Sequence, residues 1–195
     1  MQKRSSITAF LILAVGLVII FVIIVFSSIT IFVPTTSVID VDQAKALADQ
    51  YASSQYLDLR VKEIMEFSNH YYVIIQEENS GINAFELLVD KATGRVFLEP
   101  GPTMMWNTKY GHMRYSNPTA IMPVSSEQAL RNAQGWLDAY FPGASVEEAE
   151  TFYGYYTIDF SRNNQIIGML SVNGYSGEVW YHTWHGQFIR MVEYD

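Results

Sequence analysis

The sequence contains no cysteine, and this absence excludes several kinds of site. Without thiols the chain can form no disulfide, no thiolate nucleophile and no cysteine-ligated zinc or iron–sulfur centre. It also lacks a G-x-S-x-G elbow, an H-E-x-x-H pair and a phosphate-binding P-loop. Serine, histidine and aspartate are present, but no spacing brings them together. We therefore predict that the protein is not an enzyme and needs no cofactor.

Positive charge is scarce in this chain. It carries 12 lysine and arginine residues against 20 aspartate and glutamate residues, and its formal net charge is −8. All of the acidic residues follow position 39, whereas only Lys3 and Arg4 represent the basic residues before it. A nucleic-acid-binding protein needs a basic face for the phosphates. The charge balance therefore argues against nucleic acid as a partner.

An uncharged apolar run occupies residues 7–33. It is longer than the roughly 20 residues that a helix needs to cross a bilayer. Because Lys3 and Arg4 precede it, the positive-inside rule predicts a cytoplasmic tail at residues 1–6 and a C-terminal domain outside the cytoplasm. A cleaved signal peptide is the alternative, but its apolar core would span only about 7–15 residues. We expect a single-pass cell-membrane protein whose transmembrane helix is linked by residues 34–39 to an extracytoplasmic domain.

The rest of the chain contains an internal repeat, at residues 40–100 and at residues 124–195, where the second copy ends near residue 182 and an aromatic C-terminal tail follows it. Five of the pairs that align are Ala44 with Ala129, Tyr51 with Trp136, Glu63 with Glu148, Tyr71 with Tyr156 and Val89 with Val172. A single two-residue deletion keeps the register on both of its sides, which chance similarity would not do. At the end of the repeat His182 aligns with Glu99, and we expect this position to be exposed at a strand end. The sequence therefore predicts two units of the same fold.

Each repeat has the pattern of a helix followed by strands. Asp40 with Gln43, and Ser125 with Gln128, have the spacing of a capping box at a helix start. Apolar residues at helical spacing follow each cap. Alternating segments then predict three strands a repeat, at residues 67–76, 85–89 and 95–99 and at residues 156–160, 166–172 and 178–181. A helix followed by a three-stranded antiparallel sheet is an α+β unit.

The last turn of each repeat carries a family resemblance. Residues 89–96 read Val-Asp-Lys-Ala-Thr-Gly-Arg-Val, and residues 172–179 read Val-Asn-Gly-Tyr-Ser-Gly-Glu-Val. Both resemble the closing hairpin of PepSY domains, with its Asp-x-x-Thr-Gly turn. The resemblance implies a cystatin-like fold for each unit, in which a helix packs on an antiparallel sheet. It also implies binding and regulation outside the cytoplasm, with no shared catalytic residues.

The polar residues of these two turns have a structural explanation. An aspartate or asparagine side chain can accept hydrogen bonds from backbone amides two residues further on, and glycine tolerates a positive φ. We therefore predict turn-forming roles. The residues concerned are Asp90, Thr93, Gly94, Asn173 and Gly177.

The segment between the repeats, residues 101–123, is rich in methionine and aromatic residues, unlike a flexible linker. In one interpretation it packs as a wedge between the two units, with methionine filling irregular gaps. In another it forms, with the aromatic C-terminal tail, an exposed surface that binds a protein partner. The residues of this partner-binding hypothesis are Met104, Met105, Trp106, Tyr110, Met113, Trp180 and Trp184.

A third interpretation is a copper site. His112, Met113, His182 and His185 are ligand types for copper, but no repeated Met-x-x-Met or His-x-His pattern accompanies them. The aromatic tail around the last two favours a strand, in which His182 and His185 would point to opposite faces. We therefore predict no metal site, and copper remains the alternative.

Together these patterns predict an α+β protein with one N-terminal transmembrane helix followed by two tandem PepSY-like units. We expect a membrane-anchored module that binds a protein and regulates, inhibits or scaffolds an envelope enzyme. The alternative is an accessory subunit of a larger membrane complex, including one that handles copper.

Overall fold

The helices begin where local sequence predicts. In this computed structural model, which describes residues 38–112 and 118–194, Asp40 and Gln43 form a reciprocal capping box at 2.8 and 2.9 Å. They cap helix α1, and Ser125 caps the helix of the second repeat. The helices are α1 (Val41–Gln55), the short α2 (Pro102–Met105) and α3 (Ser126–Tyr140).

Two antiparallel sheets make up most of the domain. The first contains β1 (Leu59–Phe67), β2 (His70–Glu77), β3 (Asn83–Asp90), β4 (Val96–Leu98) and β9 (Phe188–Glu193), in the order β4-β3-β2-β1-β9. The second contains β5 (Ser145–Thr151), β6 (Tyr155–Arg162), β7 (Gln165–Asn173) and β8 (Val179–Tyr181), in that order. Each repeat therefore contributes one helix and one four-stranded meander, and the first sheet gains a fifth strand.

The predicted three-stranded sheets are wrong. The first strand of each sheet, β1 or β5, was missed because a β-bulge interrupts its alternation. The register shifts between Val61 and Glu63 in β1, and between Val146 and Ala149 in β5. A bulge moves the following side chains to the other face, so the period of two is lost. A turn at Ser68 and Asn69 also divides the single strand predicted at 67–76.

The predicted transmembrane helix is not supported. Within residues 38–112 and 118–194, no helix is long and apolar enough to cross a membrane. The segment for which it was predicted, residues 7–33, lies outside the described residues, as does the predicted tail at 1–6. The fold class is therefore corrected to two antiparallel sheets with few helices.

The layers follow from burial on both faces of the sheets. Val73 and Ile75 of β2 pack with the alanines of α1, whereas their neighbours Tyr72 and Ile74 face the second sheet. In a strand successive side chains point to opposite faces, so β2 reads as a continuous apolar run. The second repeat packs α3 on its own sheet in the same way. The order of layers is helix, sheet, sheet, helix.

Strand β9 connects the two units. It follows the second repeat in the chain but pairs with β1 of the first, with Met191 opposite Met65 and Val192 opposite Ile64. The segment between β8 and β9 therefore has to cross from one sheet to the other. This crossing passes through the polar cluster described below.

The two glycine-containing turns are built alike. Oδ1 of Asp90 accepts hydrogen bonds from the amide of Thr93 at 2.8 Å and from its hydroxyl at 2.7 Å, and Gly94 has φ +69°. In the second repeat Oδ1 of Asn173 accepts from two backbone amides at 2.9 and 3.0 Å, and Gly177 has φ +75°. Each side chain thus supplies acceptors that a tight turn needs for its amides.

Candidate metal centre

A buried polar cluster lies between the sheets, where β4 and β8 end. Glu99 follows β4, and its amide donates to the carbonyl of Glu86 at 3.0 Å; His182 follows β8, and its amide donates to the carbonyl of Met169 at 3.1 Å. The side chains of Glu99 and His182 are both fully buried. The expectation that His182 is exposed at a strand end is therefore wrong, because the partner repeat covers that end.

His185 enters the cluster through a turn. The chain turns at Thr183 and Trp184 and does not continue as a strand, so the expectation of opposite faces for the two histidines is wrong as well. The His185 ring stacks on Phe67 of the first repeat at 4.5 Å, and the His182 ring stacks on Trp184 at 4.7 Å. These aromatic contacts hold both imidazoles in place.

Three potential ligand atoms form a nearly equilateral triangle. Oε1 of Glu99 lies 3.3 Å from Nδ1 of His182 and 3.1 Å from Nε2 of His185, and the two nitrogens are 3.3 Å apart. Adjacent ligand atoms in a tetrahedral site with bonds near 2.0 Å are separated by about 3.3 Å. The triangle therefore has the dimensions of one face of a tetrahedral metal site.

The carboxylate of Glu99 has an uneven environment. Nε1 of Trp184 also donates to Oε1, at 3.1 Å, so three N–H groups can converge on this one oxygen. The other oxygen, Oε2, is buried and has no hydrogen-bond partner within the described chain. A buried polar atom without a partner is costly. Coordination of a cation through both oxygens of this carboxylate would remove that cost.

The second nitrogen of each imidazole has its own partner. Nε2 of His182 lies 2.9 Å from Oγ of Ser171, and Nδ1 of His185 lies 2.8 Å from Nε2 of His70. Metal-bound histidines in proteins are usually oriented through such a bond at the nitrogen that does not bind the metal. Ser171 and His70 therefore direct the remaining two nitrogens toward Glu99.

A second buried carboxylate, Glu86, adjoins the triangle. Its Oε1 accepts hydrogen bonds from Tyr72 at 2.7 Å and Thr157 at 2.5 Å, and its Oε2 accepts from Tyr155 at 2.7 Å and from Thr103. The donors come from both repeats and from the segment between them. The network thus joins three parts of the chain around one fully buried side chain.

Burial and neighbouring charges shift the pKa values of the titratable groups of the cluster in different directions. Burial and the charge of Glu99 raise the pKa of Glu86 to about 7. Burial alone would raise the pKa of Glu99, but the charge and hydrogen bond of His182, with those of His185, outweigh it and hold that pKa well below its usual range. Burial lowers the pKa of His185, and burial with the nearby His185 lowers the pKa of His70 to about 4. The positive charges that hold Glu99 ionised are those of protonated imidazoles, so a metal ion that displaces their protons would take over that role.

The segment between the repeats touches both of them. Nδ2 of Asn107 donates to the carbonyl of Ala84 at 2.7 Å, and the amide of Thr108 donates to the carbonyl of Tyr153 at 2.9 Å. Asn107 and Thr108 are buried. At Asn107 and Thr108 this segment is therefore packed structure that connects the first repeat to the second.

The residues of the partner-binding hypothesis differ in exposure. Met105 is 54% exposed, and most of the others are half-buried. Trp106 packs edge-on against Trp180 at 5.7 Å, and Tyr110 donates to Glu77 at 2.6 Å. The half-buried residues are Met104, Trp106, Tyr110, Trp180 and Trp184, whereas Met113 lies outside the described residues.

The copper hypothesis included two of the three residues that form the cluster. His182 and His185 meet, but His112 is exposed and not part of the cluster, and Met113 is not among the described residues. Sequence reasoning missed Glu99. The alignment of Glu99 with His182 was the available signal, since equivalent residues of two packed repeats can meet where the repeats face each other.

Comparisons with known proteins add nothing to the geometry of the cluster. No family model, no curated protein and no solved structure matches the chain. The resemblance of the two turns to PepSY domains therefore stays an expectation.

Proposed function

We propose that this protein binds a transition-metal ion through Glu99, His182 and His185. The proposal rests on the triangle of one carboxylate oxygen and two imidazole nitrogens, which lie 3.1–3.3 Å apart in a fully buried position. The unpartnered Oε2 of Glu99 and the oriented second nitrogens support the same proposal.

The ligand types favour zinc. Imidazole and carboxylate together suit Zn(II) and Fe(II), whereas Cu(I) prefers the thiolate and thioether sulfurs that this triangle lacks. The spacing matches a tetrahedral face, which Zn(II) adopts, and octahedral neighbours at similar bond lengths would lie only about 2.9 Å apart. We therefore name Zn(II) as the ion, with Fe(II) as the competitor to be tested.

The position favours a structural role for the ion. The side chains of Glu99 and His182 are 0% exposed and that of His185 is 2% exposed. A catalytic ion needs a coordination position open to substrate. Here the ion would instead join Glu99 of the first repeat to the crossing segment before β9, and its binding energy would add to folding.

Metal analysis of the full-length chain tests the proposal. We expect about one zinc per chain after purification, and a tetrahedral absorption spectrum after replacement by Co(II). His182→Ala and Glu99→Gln should each lose the ion, whereas His112→Ala, at an exposed histidine outside the cluster, should keep it. Circular dichroism checks that each variant folds. Equal metal content in the parent chain and in folded Glu99→Gln would contradict the proposal.

Protein binding remains a second proposal, favoured by one apolar edge. Strand β4 is the edge of the first sheet, and beside it lies a shallow groove of about 460 Å³. An extended segment of a partner protein can pair with such an edge and place side chains in the groove. This would allow the protein to regulate or scaffold an enzyme. The groove is lined by Tyr51, Val96, Phe97, Leu98, Pro100 and Met104.

Crosslinking tests this second proposal. Phe97 is 36% exposed beside the groove, so Phe97→Asp should abolish a stoichiometric crosslinked partner, whereas Tyr140→Asp, an exposed aromatic on α3, should not. The location outside the cytoplasm is part of this proposal, and protease treatment of intact cells checks it. Recovery of the same proteins with both variants would contradict the edge as the binding surface.

A further inference from the structure

An acidic groove of about 590 Å³ opens between the sheets, separate from the metal triangle. We propose that it binds an organic cation that carries several alkylammonium groups. Its volume falls in the range of about 300–1,000 Å³ that ligand sites occupy. The carboxylates that line it are Glu63, Glu147, Glu148, Glu150, Asp159 and Glu193.

Glu63 supplies the strongest observation. Its side chain lines the groove although the residue is only 6% exposed, and it forms no hydrogen bond or ion pair with any described residue. An unpartnered carboxyl group on so buried a residue destabilises a fold unless it is protonated or something cationic reaches it. A cation in the groove would be that partner.

The fold compensates one of the six carboxylates. Glu150 pairs with Lys62 at 2.5 Å and accepts from Nδ2 of Asn83 at 2.6 Å. The other five lining acids have no ion-pair partner in the part of the chain that the structure describes. The negative charge that these acids carry when ionised is therefore left for a ligand to balance.

The internal repeat contributes to this cluster of acidic side chains. Glu63 and Glu148 are equivalent residues, and each lies at the bulge of the first strand of its sheet. On β1, Glu63 shares the face of Met65 and Phe67, which pack between the sheets. The bulges turn both glutamates into the space between the sheets, where Asp159 of β6 joins them.

The raised pKa values of two of these acids agree with the lack of a compensating positive charge in the groove. Burial and the nearby Glu150 raise the pKa of Glu63 to about 7. Burial and the charge of Glu63 raise the pKa of Asp159 well above its usual range. Glu147 and Glu148 of β5 and Glu193 of β9 face the same space. A bound cation would favour the ionised forms of all these groups.

The groove suits an organic cation better than a metal ion. In the described chain, only Glu99, His182 and His185 bring three ligand atoms within 4.8 Å of one another. The groove is wider, and Ile166 and Met191 give it an apolar wall. Methylene chains can pack on this wall while their ammonium ends meet carboxylates. Free linear polyamines and lysine side chains of a peptide share this chemistry.

Calorimetry of the full-length chain at constant ionic strength and pH 8 tests the proposal, with spermidine and trilysine as separate probes. The groove variant is Glu63→Gln with Asp159→Asn; the control, Glu78→Gln with Glu178→Gln, removes two exposed charges outside the groove. We expect the groove variant to weaken binding at least tenfold and the control to change it less than twofold. Neither variant removes a buried hydrogen bond of its carboxylates or touches the metal triangle, so both should fold.

Each other outcome has a defined meaning. Tighter binding of spermidine assigns the site to a free polyamine, and tighter binding of trilysine assigns it to a peptide; both support the proposal. Equal weakening in both variants would show only general charge attraction and overturn it. Preference for Mg²⁺ over either probe, or no binding of either probe to the parent chain, would also overturn it.

Discussion

Oε1 of Glu99 lies 3.3 Å from Nδ1 of His182, and the two residues hold equivalent positions in the two repeats. Each follows the last strand of its repeat and continues it by one backbone hydrogen bond. The two sheets share one core cluster, which contains Phe67 and its counterpart Phe152, and Glu99 likewise meets its counterpart His182. Duplication followed by divergence, with glutamate in one copy and histidine in the other, turns such a meeting into a pair of complementary ligands.

Removal of metal should destabilise the domain. An ion at 100-fold excess over its dissociation constant stabilises the folded state by about 2.7 kcal/mol, and each kcal/mol shifts Tm by about 2–4 °C at this chain length. Calorimetry of the parent chain should therefore show Tm lower by about 5–10 °C after chelation and restored by Zn(II). His185→Ala should show no such response, and a chelator effect of equal size in that variant would refute this prediction.

Acid should weaken the contact between the inter-repeat segment and β2. Burial would raise the pKa of Glu77, but hydrogen bonds from Lys109, Ser80, Tyr110 and Tyr153 outweigh it and lower that pKa to about 2. The folded state therefore favours the ionised form of Glu77. The resulting stabilisation of the fold is complete above the unfolded pKa of about 4.5 and is lost as pH falls toward 2.

Glu77→Gln measures this effect. Urea denaturation at pH 7 should show a loss of about 1–3 kcal/mol, since charged hydrogen bonds are broken. The difference from the parent chain should shrink between pH 4.5 and pH 2. A difference that stays constant over this range would mean that the charge of Glu77 does not stabilise the fold.

Glu63 should have the opposite pH dependence. Its pKa is raised to about 7 in the folded state, so the protonated form is preferred there. Its contribution is most favourable below the unfolded pKa of about 4.5 and is lost as pH rises through 7. Glu63→Gln should therefore be more stable than the parent chain at pH 8 and equal to it at pH 4. Urea denaturation at both values checks this, and a less stable variant at pH 8 would disprove it.

Two glycines provide a matched test of packing. A Cβ at Gly154 would overlap the carbonyl oxygen of Trp106, and φ there is +100°. Gly154→Ala should therefore cost at least about 2 kcal/mol. A Cβ at Gly135 of α3 would meet no atom of the described residues within 4 Å, so Gly135→Ala should stabilise by about 0.5–1 kcal/mol. Urea denaturation of both variants decides, and equal effects would contradict the packing of the inter-repeat segment against the second sheet.

Local sequence predicted the local structure well. Helix α1 starts at the Asp40 and Gln43 capping box because both bonds form within four residues of chain. The Asp90 turn depends on bonds of the same short range. Strands β1 and β5 were missed because the bulges after Val61 and Val146 break the alternation on which strand prediction depends.

The candidate sites were less accessible to sequence reasoning. His182 was expected to be exposed because nothing near it in sequence covers a strand end, whereas the other repeat buries it. Glu63 aligned with Glu148 in the sequence, but their shared groove depends on the packing of two sheets. Neither of these contacts produces a recognisable spacing of residues along the sequence.

The sequence by itself determined the repeat, the helix starts and the turns, because each depends on interactions between residues a few positions apart. Only the tertiary structure decided which side chains meet. The packing of the two sheets, with β9 crossing from the second repeat to the first, brings Glu99 to His182 and His185 and leaves Glu63 in an acidic groove. Burial then sets the chemistry, because a charge or a metal ligand removed from water must find its partner in another part of the fold.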